Sequence, residues 1–439
     1  MNSTVLYTIG VVAFVLGIAA SIALHEVGHM WPAKKFGMKV TKFFVGFGTT
    51  IWSTKKGETE YGVKAIPLGG FVKIVGMLPP DAAHAAANAD GHIQVRDTNT
   101  GLFTQWASEA RDAEYEDVEP EDYDRLFYRK PWWQKVIVMA GGPTVNLVIA
   151  TVLFTISFSG FGVNLPTLTV AEISDCAISD REAPRACTDD DPVTPAVKAG
   201  LQPGDTFVSF NGRATEDWDD VIEMIRANGD RPATIVFNRD GRNHEVKVNT
   251  SVLARMSLDD PEQTERVGFL GVTPEFEVSR QGPVFIAKEM WALTVRSAEA
   301  IVKLPVRMVD IGKAAFGGER QADGPIGVVG ASRVAGELVT YDEPSLALGT
   351  QRIIGLLASL NLFLWLFNLV PLLPLDGGHI IGALWEGIRR GWARLRGKPD
   401  PGHVDVAKAL PVAYAVGLVL MIMGVLLVYV DIVNPVRLT

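Results

Sequence analysis

The 439-residue sequence has only two cysteines and seven histidines, and four of its longer stretches carry no charged residue. Two cysteines, Cys176 and Cys187, are too few for a disulfide-built scaffold or an all-cysteine zinc site, though enough for one bridge. An excess of basic residues is also missing. The net charge is −9, which argues against a nucleic-acid partner. The uncharged stretches, 5–24, 136–161, 353–375 and 409–430, are each long enough to cross a bilayer. The first lacks the basic leader of a signal peptide and is too long for one, so a retained span is expected.

With 48% hydrophobic and 21% charged residues, the chain is not disordered. Acid concentrates at 109–124 and 189–191, which read as solvated loops. Basic residues orient the spans. Lys34, Lys35, Lys39 and Lys42 follow the first; Arg125, Arg129, Lys130 and Lys135 precede the second; Arg389, Arg390, Arg394, Arg396 and Lys398 follow the third. These flanks are expected in the cytoplasm. Both termini and the segment between spans two and three are then expected outside, in a multi-pass cell (cytoplasmic) membrane protein.

Residues 40–75 are rich in β-branched and aromatic residues. Runs 40–53 and 60–66 flank a Lys-Lys-Gly-Glu turn, and a third run covers 71–75, so a membrane-associated sheet is expected. Residues 77–124 read as a mobile cytoplasmic loop. Between spans two and three the pattern predicts a strand at 168–173, a short helix from Pro195 and a strand at 206–210. A helix at 218–227 and a hairpin of 233–238 with 243–250 follow. This order, with Ala-Gly-Leu-Gln-Pro-Gly-Asp at 199–205, resembles a single PDZ domain over 167–252. Residues 283–315 are apolar but interrupted by charge, which suggests a pair of amphipathic helices at the bilayer surface.

The chemistry lies in His25-Glu26-Val27-Gly28-His29, at the end of the first apolar stretch. Histidines four apart share one helix face and both reach one zinc ion. Glu26 beside them is placed to take a proton from water. Ionisable groups at the end of a span cost about 3 kcal/mol or more each, so they mark function. A catalytic zinc keeps three protein ligands and an open position. Asp376 is read as ending the third span; Pro371 and Pro374 interrupt the helix there and let the carboxylate turn inward, so Asp376 is the expected third ligand. His379 as a fourth would close the open position, so it is assigned a supporting role. His84, His92, His244 and His403 are expected to be solvated, and Trp132 and Trp133 to be interface anchors.

The H-E-x-x-H motif, with Asn368-x-x-Pro371-x-x-x-Leu375-Asp376-Gly377-Gly378 on a later span, resembles the site-2 protease family. The single PDZ domain is similar to its anti-sigma-factor-cleaving branch, particularly the actinobacterial kind. The resemblance implies a Zn²⁺ enzyme that hydrolyses a peptide bond within the transmembrane helix of single-span substrates, after a site-1 protease has trimmed them. It also implies that Asn146 and Asn368 grip the unwound substrate backbone; interhelical hydrogen bonding is the other reading of each. The expected architecture is a polytopic α-helical membrane protein with four transmembrane helices, a membrane-associated β-sheet and one external α+β PDZ domain. Its parts are helix one (1–33), the β element (34–76), a cytoplasmic loop (77–131), helix two (132–163) and the PDZ domain (164–254). An amphipathic region (255–345), helix three with the Leu-Asp-Gly-Gly motif (346–378), a cytoplasmic loop (379–408) and helix four (409–433) follow. Cys176 and Cys187 share one polar insert on the outer side, where a disulfide persists; two free thiols are the alternative. Rival functions are a membrane-anchored protease acting on soluble or prenylated protein ends, and a catalytically dead PDZ scaffold.

Overall fold

Among the described residues of the computed structural model, four helices are long and apolar enough to cross a membrane. The structure describes residues 3–79, 118–179, 185–258, 263–318, 320, 324–340 and 346–436. Most of the expected 77–131 loop, with His84 and His92, lies outside them. The chain divides into a helical unit, Met1–Phe161 with Gly282–Thr439, and a strand-rich unit, Gly162–Gln281.

In the helical unit, α1 (Ser3–Lys35) is the hub. Its 33 residues give a rod of about 50 Å. Helices that cannot gain from burial against lipid associate through small residues and polar contacts, and α1 supplies both. Gly10 meets α6 (Val328–Thr340) at Ala335 and Gly336, and Gly17 meets α7 (Leu346–Asn368) at Leu357. Gly28 meets α2 (Trp132–Thr155) at Gly141 and Gly142. Asn361 of α7 donates to the Ser21 hydroxyl of α1 at 3.0 Å. Helix α9 (Leu410–Val433) packs on the end of α5 (Pro283–Ala315) through Val430, Ile311 and Ala314.

Beside α1 lie β1 (Val40–Lys56) and β2 (Thr59–Ile74). Their distal halves form the expected hairpin. Residues 42–45 are paired on both sides, with 60–63 and with 70–73, so all three expected runs share one sheet.

Four expectations change. The third span was drawn to 375, but α7 ends at Asn368. Pro371 and Pro374 interrupt the helix as expected and the Leu373–Pro374 bond is cis, but Asp376 opens a new helix instead of closing the span. The 379–408 loop is in good part helix α8 (Asp376–Leu395). The pair of helices over 283–315 is one continuous helix, α5, with Pro305 inside it. Fourth, the strand-rich unit runs well past residue 254.

That unit contains β3 (Val163–Ile173), α3 (Pro195–Lys198), β4 (Thr206–Phe210), β5 (Arg213–Ala214) and α4 (Trp218–Asn228). The hairpin β6 (Pro232–Arg239) and β7 (Arg242–Asn249) follows as expected. Then come β8 (Ser251–Met256), β9 (Thr264–Phe269) and β10 (Val272–Ser279). The sheet order is β10-β3-β4-β6-β7, with β5 on β4. Strand β10 covers the edge of β3 from about a hundred residues away, and nothing local in the sequence announces such a pairing. Phe207, Trp218, Val221, Ile235, Phe237 and Leu270 form the core, each contributing about 1.5–3 kcal/mol by burial. Cys176 and Cys187 are joined by a disulfide.

Candidate active site

Helix periodicity places His25 and His29 on one face of α1. Their Nε2 atoms lie 3.1 Å apart. The turn after α7 folds back so that the first residue of α8 meets them. Asp376 Oδ2 is 3.3 Å from His25 Nε2 and 3.4 Å from His29 Nε2. That turn needs both glycines of the motif, because a Cβ on Gly377 would strike the backbone of Leu369 and Val370, and one on Gly378 would strike Leu373.

The proton inventory matters more than the distances. His29 Nδ1 donates to the Val138 carbonyl at 2.8 Å. In a neutral ring that leaves Nε2 a bare acceptor. His25 Nδ1 is 3.1 Å from the Asn146 amide. The two ends of an amide are interchangeable by rotation, and Asn146 Oδ1 has no other partner, so it is suited to accept the Nδ1 proton of His25. Three acceptors then converge with no donor between them, an arrangement that repels itself unless a cation sits at its centre. Tetrahedral ligands about 2.0–2.1 Å from zinc lie about 3.3 Å apart, which is the spacing of this triangle. Zinc fits the donor set.

Helix α2 makes room for it. A Cβ on Gly142 would collide with His29 Nε2 and lie 2.7 Å from His25 Nε2. One face of α2 therefore carries Val138, Gly142 and Asn146, three positions that orient or clear the two imidazoles. The Gly141-Gly142 pair, readable from sequence as helix packing, serves both purposes.

A cavity of about 320 Å³ opens on the triangle. Glu26, Asn368, His379 and the β2 backbone at Gly70–Val72 line it. Glu26 thus stands beside the β2 residues Gly70–Val72 on the cavity wall. Asn368 stands on the cavity wall, as a substrate contact requires. Asn146 does not: it is buried against His25 and holds a ring in place. His379 lies outside the donor triangle, one turn below Asp376.

Two further expectations change at the edge of the site. His403 was expected to be solvated, but it lies 3.5 Å from buried Glu386 and edge-on to Tyr128. Asp122, expected in a solvated acidic loop, is buried and paired with Lys39 at 2.5 Å. Burial opposes its charge, yet Lys39, the Glu119 N–H and Arg125 hold its carboxyl below the usual range. His244 is exposed as expected, stacked on Phe237.

Comparison with known proteins places this geometry in context. The model of peptidase family M50 matches residues 13–399. The zinc metalloprotease Rip1 of Mycobacterium tuberculosis is 34% identical, with 99% of each chain aligned. Metalloprotease MmpA of Caulobacter vibrioides is 25% identical over 88% of each chain. A putative zinc metalloprotease of Staphylococcus aureus is 25% identical over 88% of this chain and 91% of its own. Among solved structures, the PDZ domain of an SdrC-like protein from Listeria monocytogenes is 16% identical. It covers 26% of this chain and 90% of that domain, with a TM-score of 0.17, too low to support an argument.

Proposed function

This chain belongs to peptidase family M50 and is a zinc metalloprotease, and we propose that it cuts within the transmembrane segment of single-span membrane proteins. The observation that carries the reading is the donor triangle itself. His25 and His29 lie on one apolar helix and Asp376 lies at the turn after another, so the site is built from the ends of spans. His25, His29 and Asp376 hold the metal, which when bound supplies a Lewis acid that acidifies water and polarises a carbonyl.

The chain's own groups do the rest. Glu26 takes the proton from the attacking water and passes it to the leaving amine. A transmembrane helix hides its scissile carbonyl in its own hydrogen bonds, so it must unwind first. The extended backbone then lies along Gly70–Val72, which borders the cavity beside Glu26, in strand-addition fashion. The Asn368 amide engages a peptide group freed by unwinding.

By the basic flanks of the spans, the catalytic ends face the cytoplasm, and both termini and the strand-rich unit lie outside. We read that unit as a PDZ domain restricting access, so that anti-sigma-factor-like substrates enter after trimming by a site-1 protease. Signalling by regulated intramembrane proteolysis is the resulting role. The test is cleavage of a purified single-span substrate in proteoliposomes, with product masses read by mass spectrometry. Cuts inside the span, absent with Glu26→Gln, are expected. Cuts confined to the soluble flanks would instead assign the enzyme to protein ends outside the bilayer.

A further inference from the structure

Helix α8 begins at the zinc site, but most of its length serves no catalytic purpose described above. One side of it is buried at Gly378, Ala383, Glu386 and Ala393. The opposite side exposes Ile381, Trp385, Ile388, Trp392 and Leu395, an apolar stripe at helical spacing that no part of the described chain covers. Leu395 is 85% exposed.

The level of this stripe is fixed by what the buried side touches. Gly387 packs against Trp132, and Glu386 pairs with Lys135 at 2.7 Å. Both partners lie in the first turn of α2, where its apolar span begins. The middle of α8 therefore sits at the end of a span. Exposed Trp132 and Trp133 stand at the same level, and Trp31 stands near the end of α1, as in an aromatic belt at a bilayer surface.

The charges that line the cleft beside the stripe are basic, and the nearby acid Asp400 is paired with Arg390. Arg389, Arg394, Arg396 and Lys398 accompany the stripe, while the one acid inside α8 beyond Asp376, Glu386, is buried and paired. Arg396 lies over the Trp392 ring at 4.4 Å. A cleft of about 400 Å³ runs between Trp385, Trp392, Arg389, Arg396, Lys398 and Pro401. Apolar walls with a basic rim suit an acyl chain below an anionic headgroup.

We propose that α8 is an in-plane membrane helix and that this cleft binds an anionic phospholipid. The inference rests on the helical spans and not on which peptide bond is cut, so failure of the protease reading leaves it standing. The test is native mass spectrometry of the detergent-purified full chain with equimolar phosphatidylglycerol and phosphatidylcholine. Wild type retains phosphatidylglycerol in preference. The variant Arg389→Gln/Arg396→Gln/Lys398→Gln loses it, roughly fivefold in affinity per basic residue removed. The matching Arg→Lys variant, which keeps all three charges, retains it. A control, Lys288→Gln/Arg296→Gln on α5, binds as wild type. Equal retention of the two lipids, or an undiminished phosphatidylglycerol adduct in the Gln variant, would overturn the proposal. So would a dimer that Trp385→Ala/Trp392→Ala dissolves, which would make a second copy the occupant.

Discussion

Two ends of the helical unit hold carboxylates away from bulk solvent, Asp431 buried and Asp376 half-buried, and they treat them in opposite ways. At the far end, Asp431 of α9 is fully occupied. Its Oδ1 accepts from Arg320 at 2.7 Å, and its Oδ2 accepts the backbone N–H groups of Gly327 and Gly330 at 2.9 and 2.8 Å. At the site end, the Asp376 oxygen faces two imidazole nitrogens whose protons lie elsewhere. A carboxylate saturated by donors is structure. A carboxylate converging with other acceptors on one point is a site waiting for a cation. A single unpaired atom, such as Arg320 Nε, is not equivalent, because nothing converges on it.

The two carboxylates should fail in different ways. Glu26→Gln removes the base and no ligand, so turnover should fall about 10²–10⁴-fold while one zinc per chain remains. His29→Ala or Asp376→Ala should lose the metal itself, measured as zinc content of the purified protein. Asp431→Ala should do the reverse. It leaves Arg320 buried without its partner, at a cost of about 3–5 kcal/mol in stability, yet the folded fraction should keep its zinc. Zinc loss in folded Asp431→Ala would break the division between the two ends.

Much of the site end was legible because its signal is local. His25, Glu26 and His29 lie within five residues, and helix geometry alone brings the histidines together. Asp376 was legible as the third ligand, from its motif and its place beside an apolar run. Its place at the head of α8 was not, because the Leu-, Val- and Pro-rich turn is as apolar as the span before it. Helix α8 was hidden by its own charges, although Ile381, Trp385, Ile388 and Trp392 already carry the period. Two buried charges, one at each end, escape the sequence for the same reason. Spans drawn at 136–161 and 409–430 stop one residue short of Lys135 and Asp431, and the structure buries both charges inside their helices. A charge at the edge of an apolar run is a partner to be found as often as a boundary.

Gly142→Ala sharpens the comparison from within α2. The added Cβ meets both imidazoles and touches neither Asp431 nor its donors. Zinc affinity should fall about 10–100-fold, the usual scale when ligand orientation is disturbed, with some loss of thermal stability because Gly142 also packs α2 against α1. Competition with a chelator measures it.

The smallest effect concerns Glu386, which joins α8 to α2 through Lys135 and to the 403–404 segment. Burial opposes its charge. His403, Lys135 and the Val404 N–H outweigh that and hold its carboxyl at about 2, against an ordinary 4.5. A carboxyl depressed on folding stabilises the protein above its unfolded value and loses that contribution as pH falls toward the folded one. From this group, then, stability should be flat between pH 7 and 5. Below about 4.5 it should decline, by at most ~1.4 kcal/mol per pH unit for one proton. Glu386→Gln should be less stable at pH 7 and should lack that part of the acid slope, whereas Asp431→Ala should retain it. Thermal unfolding across pH in detergent distinguishes them. An unchanged acid slope in Glu386→Gln would mean that the carboxylate is not held charged by its partners.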